Sequence, residues 1–287
     1  MGVEVQSFFS ACPMCGSSDS REHVSFPQLR FVTCSACGLL YKSHEVPGLA
    51  ASLSKGYDGG YFEKGRAQYL KRWNHRVAKC RRQLLMCLEF APHAKSVLDV
   101  GSSAGYVLAA GQSLGLHATG IDYASWAAKL GHERGFPTAA ASLTHLPFRD
   151  GSFDIVTAKH TLEHVPTPKL GLSEIARVLK PGGVAFVVVP DAKHWQLHLR
   201  KKSGGYFKPQ RLGWQHHVYY DVNTLRTGLE GAGLKVVSDD KAMLRRRLAK
   251  GPGAPWEYAR VAGLKVWTTF SKVTRLRREI QLMAVKP

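Results

Sequence analysis

Between residues 70 and 88 the apolar positions Leu70, Trp73, Val77, Cys80, Leu84, Cys87 and Leu88 recur at steps of three and four. That spacing predicts an amphipathic helix whose core face includes both cysteines. Its other face carries Lys71, Arg72, Arg76, Lys79, Arg81 and Arg82, and reads as a solvated charged face. From residue 95 the rhythm changes. SVLDVG, ATGIDYA, FDIVTAKH and GGVAFVVVPD are short, β-branched apolar runs, which predict buried strands. The stretches YVLAAGQSLG, ASWAAKLGHERG and LGLSEIARVL between them predict helices, the last ending before a turn at Lys180-Pro181-Gly182-Gly183. Strand and helix alternate, so the pattern predicts a parallel sheet covered on both faces. HHVYYDVNTLRTGLEGAGLKVVSDD adds a helix and a strand, and EIQLMAVKP a closing strand.

Ahead of this region lies a different pattern. Cys12, Cys15, Cys34 and Cys37 read C-x2-C, eighteen residues, C-x2-C. Two such knuckles bring four thiolates to one tetrahedral point, the ligand set of a structural zinc with no open coordination position. Gly16 and Gly38 follow the second cysteine of each pair and let the chain turn around the ion. The expected organisation is a zinc ribbon over 1–45, a joint and basic helix over 46–92, and an α/β domain over 93–287. Insertions at 192–215 and 241–278 interrupt that domain.

Gly101 and Gly105 stand where the first α/β strand ends, in VLDVGSSAGYVL. Ligands of such sheets bind outside the carboxyl ends of the strands, and small residues there admit a ligand close to the backbone. Asp122 ends the next strand, 17 residues past Gly105, where an acid can take both hydroxyls of a ribose. The loop and the acid together predict a nucleoside site.

The glycine pattern is G-x-x-x-G, with Ser102, Ser103 and Ala104 between, rather than the dinucleotide fingerprint. Here LDVGSSAG, LPFRDGSFDIVTAKHTLEHVPTP and LKPGGVAFVVVPD resemble, in order, the motifs of the class I S-adenosylmethionine-dependent methyltransferases. The resemblance covers about residues 95–240 and the closing strand. It implies an α/β, Rossmann-like seven-stranded methyltransferase sheet, here with an N-terminal zinc ribbon and a helical insertion before the last strand. The ribbon followed by CGLLYKS and YDGGYFE is similar to a subgroup that modifies sugars, glycolipids and other biosynthetic intermediates.

The resemblance and the ligand's chemistry imply roles. Gly101, Ser102, Ser103 and Gly105 curve under the methionine part, and Asp99 fixes the loop toward the amino group. Asp122 holds the ribose. Tyr123 or Leu143 faces the adenine, and Ser142 with the Leu143 backbone meets its amine. Lys159 and His160 border the sulfonium, and Tyr57 and Tyr61 close over the cofactor or anchor the joint. The family's middle glycine is Ser103 here.

Methyl transfer to an alcohol benefits from a base with a pKa near working pH, which makes histidine the first candidate. His164, His216 and His217 lie in segments expected at the carboxyl ends of the strands. The readings set against these are a helix cap for His164 and packing beneath a helix for the other two.

The net charge of +19 favours anionic partners without choosing among them. The 193–214 segment KHWQLHLRKKSGGYFKPQRLGW has six Lys or Arg and no acid, with four large aromatics between them. Residues 241–278 hold eleven Lys or Arg against Glu257 alone. Sugar stacking, an anionic membrane surface and RNA phosphates suit such stretches, and so does simple packing on the domain. The expected activity is O-methylation of a sugar, glycolipid or secondary-metabolite hydroxyl, on a small-molecule, lipid-linked or glycan substrate. The alternatives are an rRNA or tRNA methyltransferase and a catalytically inert zinc-ribbon binding protein; specific nucleic-acid binding ranks below the small acceptor. The start of the chain has neither a basic n-region nor an apolar h-region, so the expected compartment is the cytoplasm, with peripheral membrane contact as a further expectation.

Overall fold

The computed structural model describes residues 6–7, 9–26, 29–45, 72–193, 216–239 and 279–287. Tyr57, Tyr61, nearly all of the 192–215 segment and the whole of the 241–278 segment lie outside the described residues.

The N-terminal unit is a small antiparallel sheet of β1 (Gln6–Ser7), β2 (Ser20–Phe26), β3 (Leu29–Cys34) and β4 (Leu40–Glu45), in the order β1-β4-β3-β2. Helix α1 (Trp73–Leu88) follows, with Cys80, Leu84 and Cys87 buried as their spacing predicts. Burial pushes the Cys87 thiol up to about 12, so this cysteine is an inert core side chain.

The main sheet has seven strands: β5 (Ser96–Val100), β6 (His117–Asp122), β7 (Thr138–Ala140), β8 (Phe153–Lys159), β9 (Leu179–Pro190), β11 (Lys235–Asp239) and β12 (Glu279–Val285). Their order is β11-β12-β9-β8-β5-β6-β7. Strands β5 to β9 run parallel; β12 pairs antiparallel with both β9 and β11. The connecting helices are α2 (Tyr106–Gln112), α3 (Ser125–Glu133), α4 (Pro168–Val178) and α5 (Val222–Gly231). The chain leaves β5 toward β6 and β7, then returns to the other side of β5 for β8 and β9. The crevice between the ends of β5 and β8 is therefore the topological switch point, where open α/β sheets bind their ligands.

Alternation along the strands divides the core. Leu98, Val100, Val156, Ala158, Val187 and Val189 face α4, α5 and the ribbon side chains Cys12, Met14, Leu39 and Tyr41. Val97, Ile155, Val184, Phe186 and Val188 face Cys80, Leu84, Val107 and Leu108 of α1 and α2. The turn expected at Lys180–Gly183 is absorbed into β9: Leu179 pairs with Phe153, the register shifts, and pairing resumes at Val184 with Ile155.

Strand β10 (Val218–Tyr219), although it belongs to the later half of the chain, pairs antiparallel with β4 of the ribbon, Val218 opposite Tyr41 and Tyr219 opposite Leu40. The backbone of Lys42 also donates to the His217 carbonyl at 2.9 Å. The ribbon is thus joined by backbone hydrogen bonds to the segment that carries His216 and His217. No helix among the described residues is long and apolar enough to cross a membrane.

Candidate functional site

The four ribbon cysteines converge. Cys12 and Cys37 bring their Sγ atoms to 3.5 Å, Cys15 and Cys34 theirs to 3.6 Å, and all four sulfurs lie within 4.8 Å of one another. Bonds of about 2.3 Å to a tetrahedral zinc put the sulfurs close to these separations. The amides of Gly16 and Gly38, both at positive φ, donate back to the carbonyls of Cys12 and Cys34 at 2.9 and 3.0 Å. The donor set fits a closed structural zinc.

At the end of β5 the chain folds into a loop made largely of backbone. The amides of Gly101 and Ser102 both donate to the Ile121 carbonyl, at 2.8 and 2.9 Å, which ties the loop to the end of β6. Gly101 has φ +78°, and a Cβ there would collide with Thr161 Oγ1. Gly105 opens α2 at φ +86°, where a Cβ would strike the Phe136 ring. Both positions therefore demand glycine. Ser103 takes a left-handed φ of +47° without being glycine.

Asp122 ends β6 and turns its carboxylate into this loop, accepting from the Ser103 amide at 2.9 Å and the Ala124 amide at 3.0 Å. A carboxylate offers about four acceptor directions, so these two bonds leave room for a pair of hydroxyls. Ser102 is buried, and its Oγ has no hydrogen-bond partner among the described residues. Tyr123 projects beside Asp122 with 87% of its surface exposed. Leu143 is buried in the core, and Ser142 Oγ is paired with Thr144 Oγ1 at 2.8 Å.

Asp99 is buried beneath the loop and accepts from Thr157 Oγ1 at 2.6 Å. Burial lifts its pKa to about 6, with the negative Asp122 adding to the rise; the Thr157 hydroxyl and the Lys159 charge oppose it. Lys159 sits at the end of β8, but its ammonium donates to Cys80 Sγ at 3.1 Å and so is engaged beneath α1.

Across the crevice lies a second cluster, made of side chains. His160 follows β8 at φ +53°. Its Nε2 is 3.2 Å from Glu279 Oε2 on β12, and its Nδ1 is 3.6 Å from Glu163 Oε1. The neighbouring carboxylates of Glu163 and Glu279 hold it up to about 9, outweighing burial. Glu163 lies in the 3-10 turn Leu162–His164 with only 1% of its surface exposed. Neither of its carboxylate oxygens has a hydrogen bond among the described residues. His216 Nε2 stands 3.9 Å from Glu163 Oε1, and the His164 and His216 rings meet edge to face at 4.7 Å. Burial pushes His216 down to about 4, against the pull of Glu163, so its imidazole is neutral at working pH. His217 is likewise lowered, to about 3, by burial and by the Lys42 charge, but it is not among the donor atoms that converge on Glu163.

Sequence reading therefore names His164, His216 and His160 and misses the two carboxylates that organise them. Glu163 is visible in the string only as a neighbour of His164. Glu279 begins the last strand, more than a hundred residues away, and nothing in its local pattern marks it. The buried Lys42, supplied by the ribbon, carries no local signal either.

A seven-stranded sheet with an antiparallel β12 beside β9 and a glycine loop at its switch point defines a Rossmann-like nucleoside-binding enzyme. Residues 72–239 match a family described as a methyltransferase domain, and the chain belongs to the class I S-adenosylmethionine-dependent methyltransferases. It is 31% identical over 196 residues to an uncharacterised methyltransferase of Mycolicibacterium gilvum, covering 63% of this chain and 76% of that one. A ubiquinone biosynthesis O-methyltransferase of Idiomarina loihiensis is 34% identical over 112 residues, which span 36% of this chain and 46% of that one. A solved structure from Bacillus halodurans, described as that of a methyltransferase, superposes with a TM-score of 0.51 at 19% identity, over 72% of this chain and 98% of that one.

Proposed function

We propose that this methyltransferase transfers the methyl group to a hydroxyl of a small acceptor, such as a sugar, a glycolipid or another biosynthetic intermediate. The observation that carries the reading is the cluster of Glu163, His164 and His216 at the same end of the sheet as the glycine loop. A buried carboxylate beside a neutral imidazole is suited to drawing a proton from an alcohol, and an acceptor that is already anionic or a free amine has less need of it. The similarity to an O-methyltransferase of ubiquinone biosynthesis agrees in reaction class.

When bound, S-adenosylmethionine supplies an activated methyl on a sulfonium, so the protein's task is to position and to exclude water. In this reading the loop Gly101–Gly105 cradles the methionine part, with the unpartnered Ser102 Oγ as a donor to it and Asp99 facing its amino group. Asp122 holds the ribose with its free acceptor directions, Tyr123 covers the adenine, and Ser142 with the Leu143 backbone borders the adenine amine. His160, locked between Glu163 and Glu279, sets the floor between cofactor and acceptor. The four ribbon cysteines hold zinc and keep β4 in place behind β10.

The test is tritiated methyl transfer from S-adenosylmethionine into fractionated extract, with small molecules, lipids, polysaccharide and RNA counted separately. Label is expected in a small-molecule, lipid or glycan fraction, in a linkage stable to conditions that cleave methyl esters. Label in purified RNA that disappears with Asp122→Ala would replace this reading.

A further inference from the structure

We propose that Glu163, His164 and His216 form a second metal site, separate from the cysteine cluster, that binds a divalent transition-metal ion. The inference rests on the reading of this end of the sheet as the acceptor side. Their ligand atoms all lie within 4.8 Å of one another, which lets one ion reach all three. The three come from two places: the turn after β8 and the residue entering β10.

The second observation is Glu163 itself. A carboxylate with 1% of its surface exposed is expected to accept several hydrogen bonds, because a buried charge without partners is strongly disfavoured. Glu163 accepts none among the described residues. The imidazole nitrogens beside it, His160 Nδ1 at 3.6 Å and His216 Nε2 at 3.9 Å, stand beyond hydrogen-bond range. His160 gives Glu163 an ion-pair neighbour at 3.6 Å, and a cation between Glu163 and the two imidazoles supplies the direct bonds that its oxygens lack. His160, held by Glu279 at 3.2 Å, stands 3.6 Å from the same Glu163 Oε1 that His216 approaches, and so supports that carboxylate from outside the three-ligand set.

The donor set indicates the kind of ion. Two imidazoles and one carboxylate suit zinc, iron, manganese, cobalt or nickel; magnesium and calcium prefer all-oxygen sites. Three protein ligands leave coordination positions open, unlike the closed set of four thiolates in the ribbon. A hydroxyl acceptor bound there gives up its proton to solvent more readily, because the cation stabilises the alkoxide. The oxygen then forms its bond to the methyl carbon as the carbon–sulfur pair returns to sulfur, leaving a thioether and the methyl ether. The acceptor class this favours is one that presents a hydroxyl with a neighbouring oxygen, able to occupy two open positions.

The experiment is cobalt titration of the full-length, metal-depleted protein followed by absorption spectroscopy. Cobalt in the cysteine cluster gives sulfur-to-metal bands in the near ultraviolet; cobalt on nitrogen and oxygen gives weak visible bands alone. Wild type is expected to take one cobalt with thiolate bands and one further cobalt without them. His216→Asn and Glu163→Gln are expected to keep the first and lose the second, while binding S-adenosylmethionine as wild type does. A wild type that takes only the thiolate-bound cobalt overturns the proposal. So do cofactor-binding variants that still take both. If wild type lacks the second cobalt yet methylates a hydroxyl, the metal site falls and the O-methylation reading stands; if both metals bind and label enters no hydroxyl, the reverse holds.

Discussion

The two walls of the crevice are built by different means. The wall after β5 is backbone: paired amides on the Ile121 carbonyl, two glycines that admit no Cβ, and Asp122 accepting from the loop's Ser103 amide. The wall after β8 is side chain: Glu163, His164, His160, His216 and Glu279, drawn from three stretches of chain. A backbone wall tolerates changes of side chain that keep the fold. A side-chain wall loses its chemistry with any one member. That difference is what mutation can test.

The largest effect is expected at Glu163. Glu163→Gln removes the charge around which both histidines are arranged while preserving shape. Turnover should fall about a hundredfold or more, the usual contribution of a positioned proton acceptor or metal ligand. Affinity for S-adenosylmethionine, measured by calorimetry, should stay within about twofold of wild type. Equal losses in both would mean that the two walls are one site energetically.

Next comes Cys34→Ser. One thiolate fewer should release the ribbon's zinc, read by elemental analysis, and lower the thermal midpoint of the protein. Because β4 hydrogen-bonds β10 and Lys42 donates to the His217 carbonyl, the disturbance should reach the side-chain wall. Turnover is expected to drop by roughly tenfold, the scale of a disturbed supporting contact, and cofactor affinity to change little. Metal content unaffected by the substitution would remove the zinc assignment.

The two walls also differ in how legible they are in a linear string. The loop announces itself because its requirements are local: Gly101 and Gly105 answer to positive φ and close contacts, and Asp122 follows at the end of the next strand. The ribbon is legible for the same reason, since its ligands come in pairs with two residues between them. The strand-and-helix alternation from 95 onward fixes the class of fold and the central strands. It does not reveal β7, only three residues long, or β10, whose partner lies in the ribbon. The side-chain wall depends on pairings that no periodicity carries. Glu279 meets His160 only because β12 inserts beside β9, and Glu163 meets His216 only because β10 is pinned to β4. The bond from Lys159 at the end of β8 to Cys80 of α1 is another pairing that the string does not announce.

On the backbone wall the expected losses are smaller. Asp122→Ala should weaken S-adenosylmethionine binding by about 1–3 kcal/mol, the cost of leaving ribose hydroxyls unpaired, with turnover at saturating cofactor nearly kept. Calorimetry showing equal affinity would place the nucleoside elsewhere.

Asp99 supplies a pH signature for the same wall. Its pKa is about 6 folded, against 3.8 as the ordinary value, with burial the chief cause. The folded state therefore holds the proton more tightly than the unfolded state does. Stability should fall as pH rises from about 4 to about 6, by roughly 1–3 kcal/mol in all, and level off above. Cofactor affinity should rise over the same window, since a cationic amino group favours the ionised form. Asp99→Asn should flatten both curves; urea titrations of that variant with the wild-type slope between pH 4 and 6 would show that another group governs the loop.

The smallest effect is expected at Ser103, and it is the sharpest probe of a wall made of backbone. Its φ of +47° places an L side chain in the left-handed region, at a cost on the order of 1 kcal/mol. The contact that matters there is its amide's hydrogen bond to Asp122, which glycine makes equally well. Ser103→Gly removes the strain and adds backbone entropy to the unfolded chain, which offsets part of the gain. The expected net is a stabilisation of about 0.5 kcal/mol in urea unfolding, with S-adenosylmethionine affinity unchanged or slightly improved. A serious loss of affinity would mean that the Ser103 hydroxyl, rather than its amide, touches the cofactor, and the loop would then belong with the side-chain wall it faces.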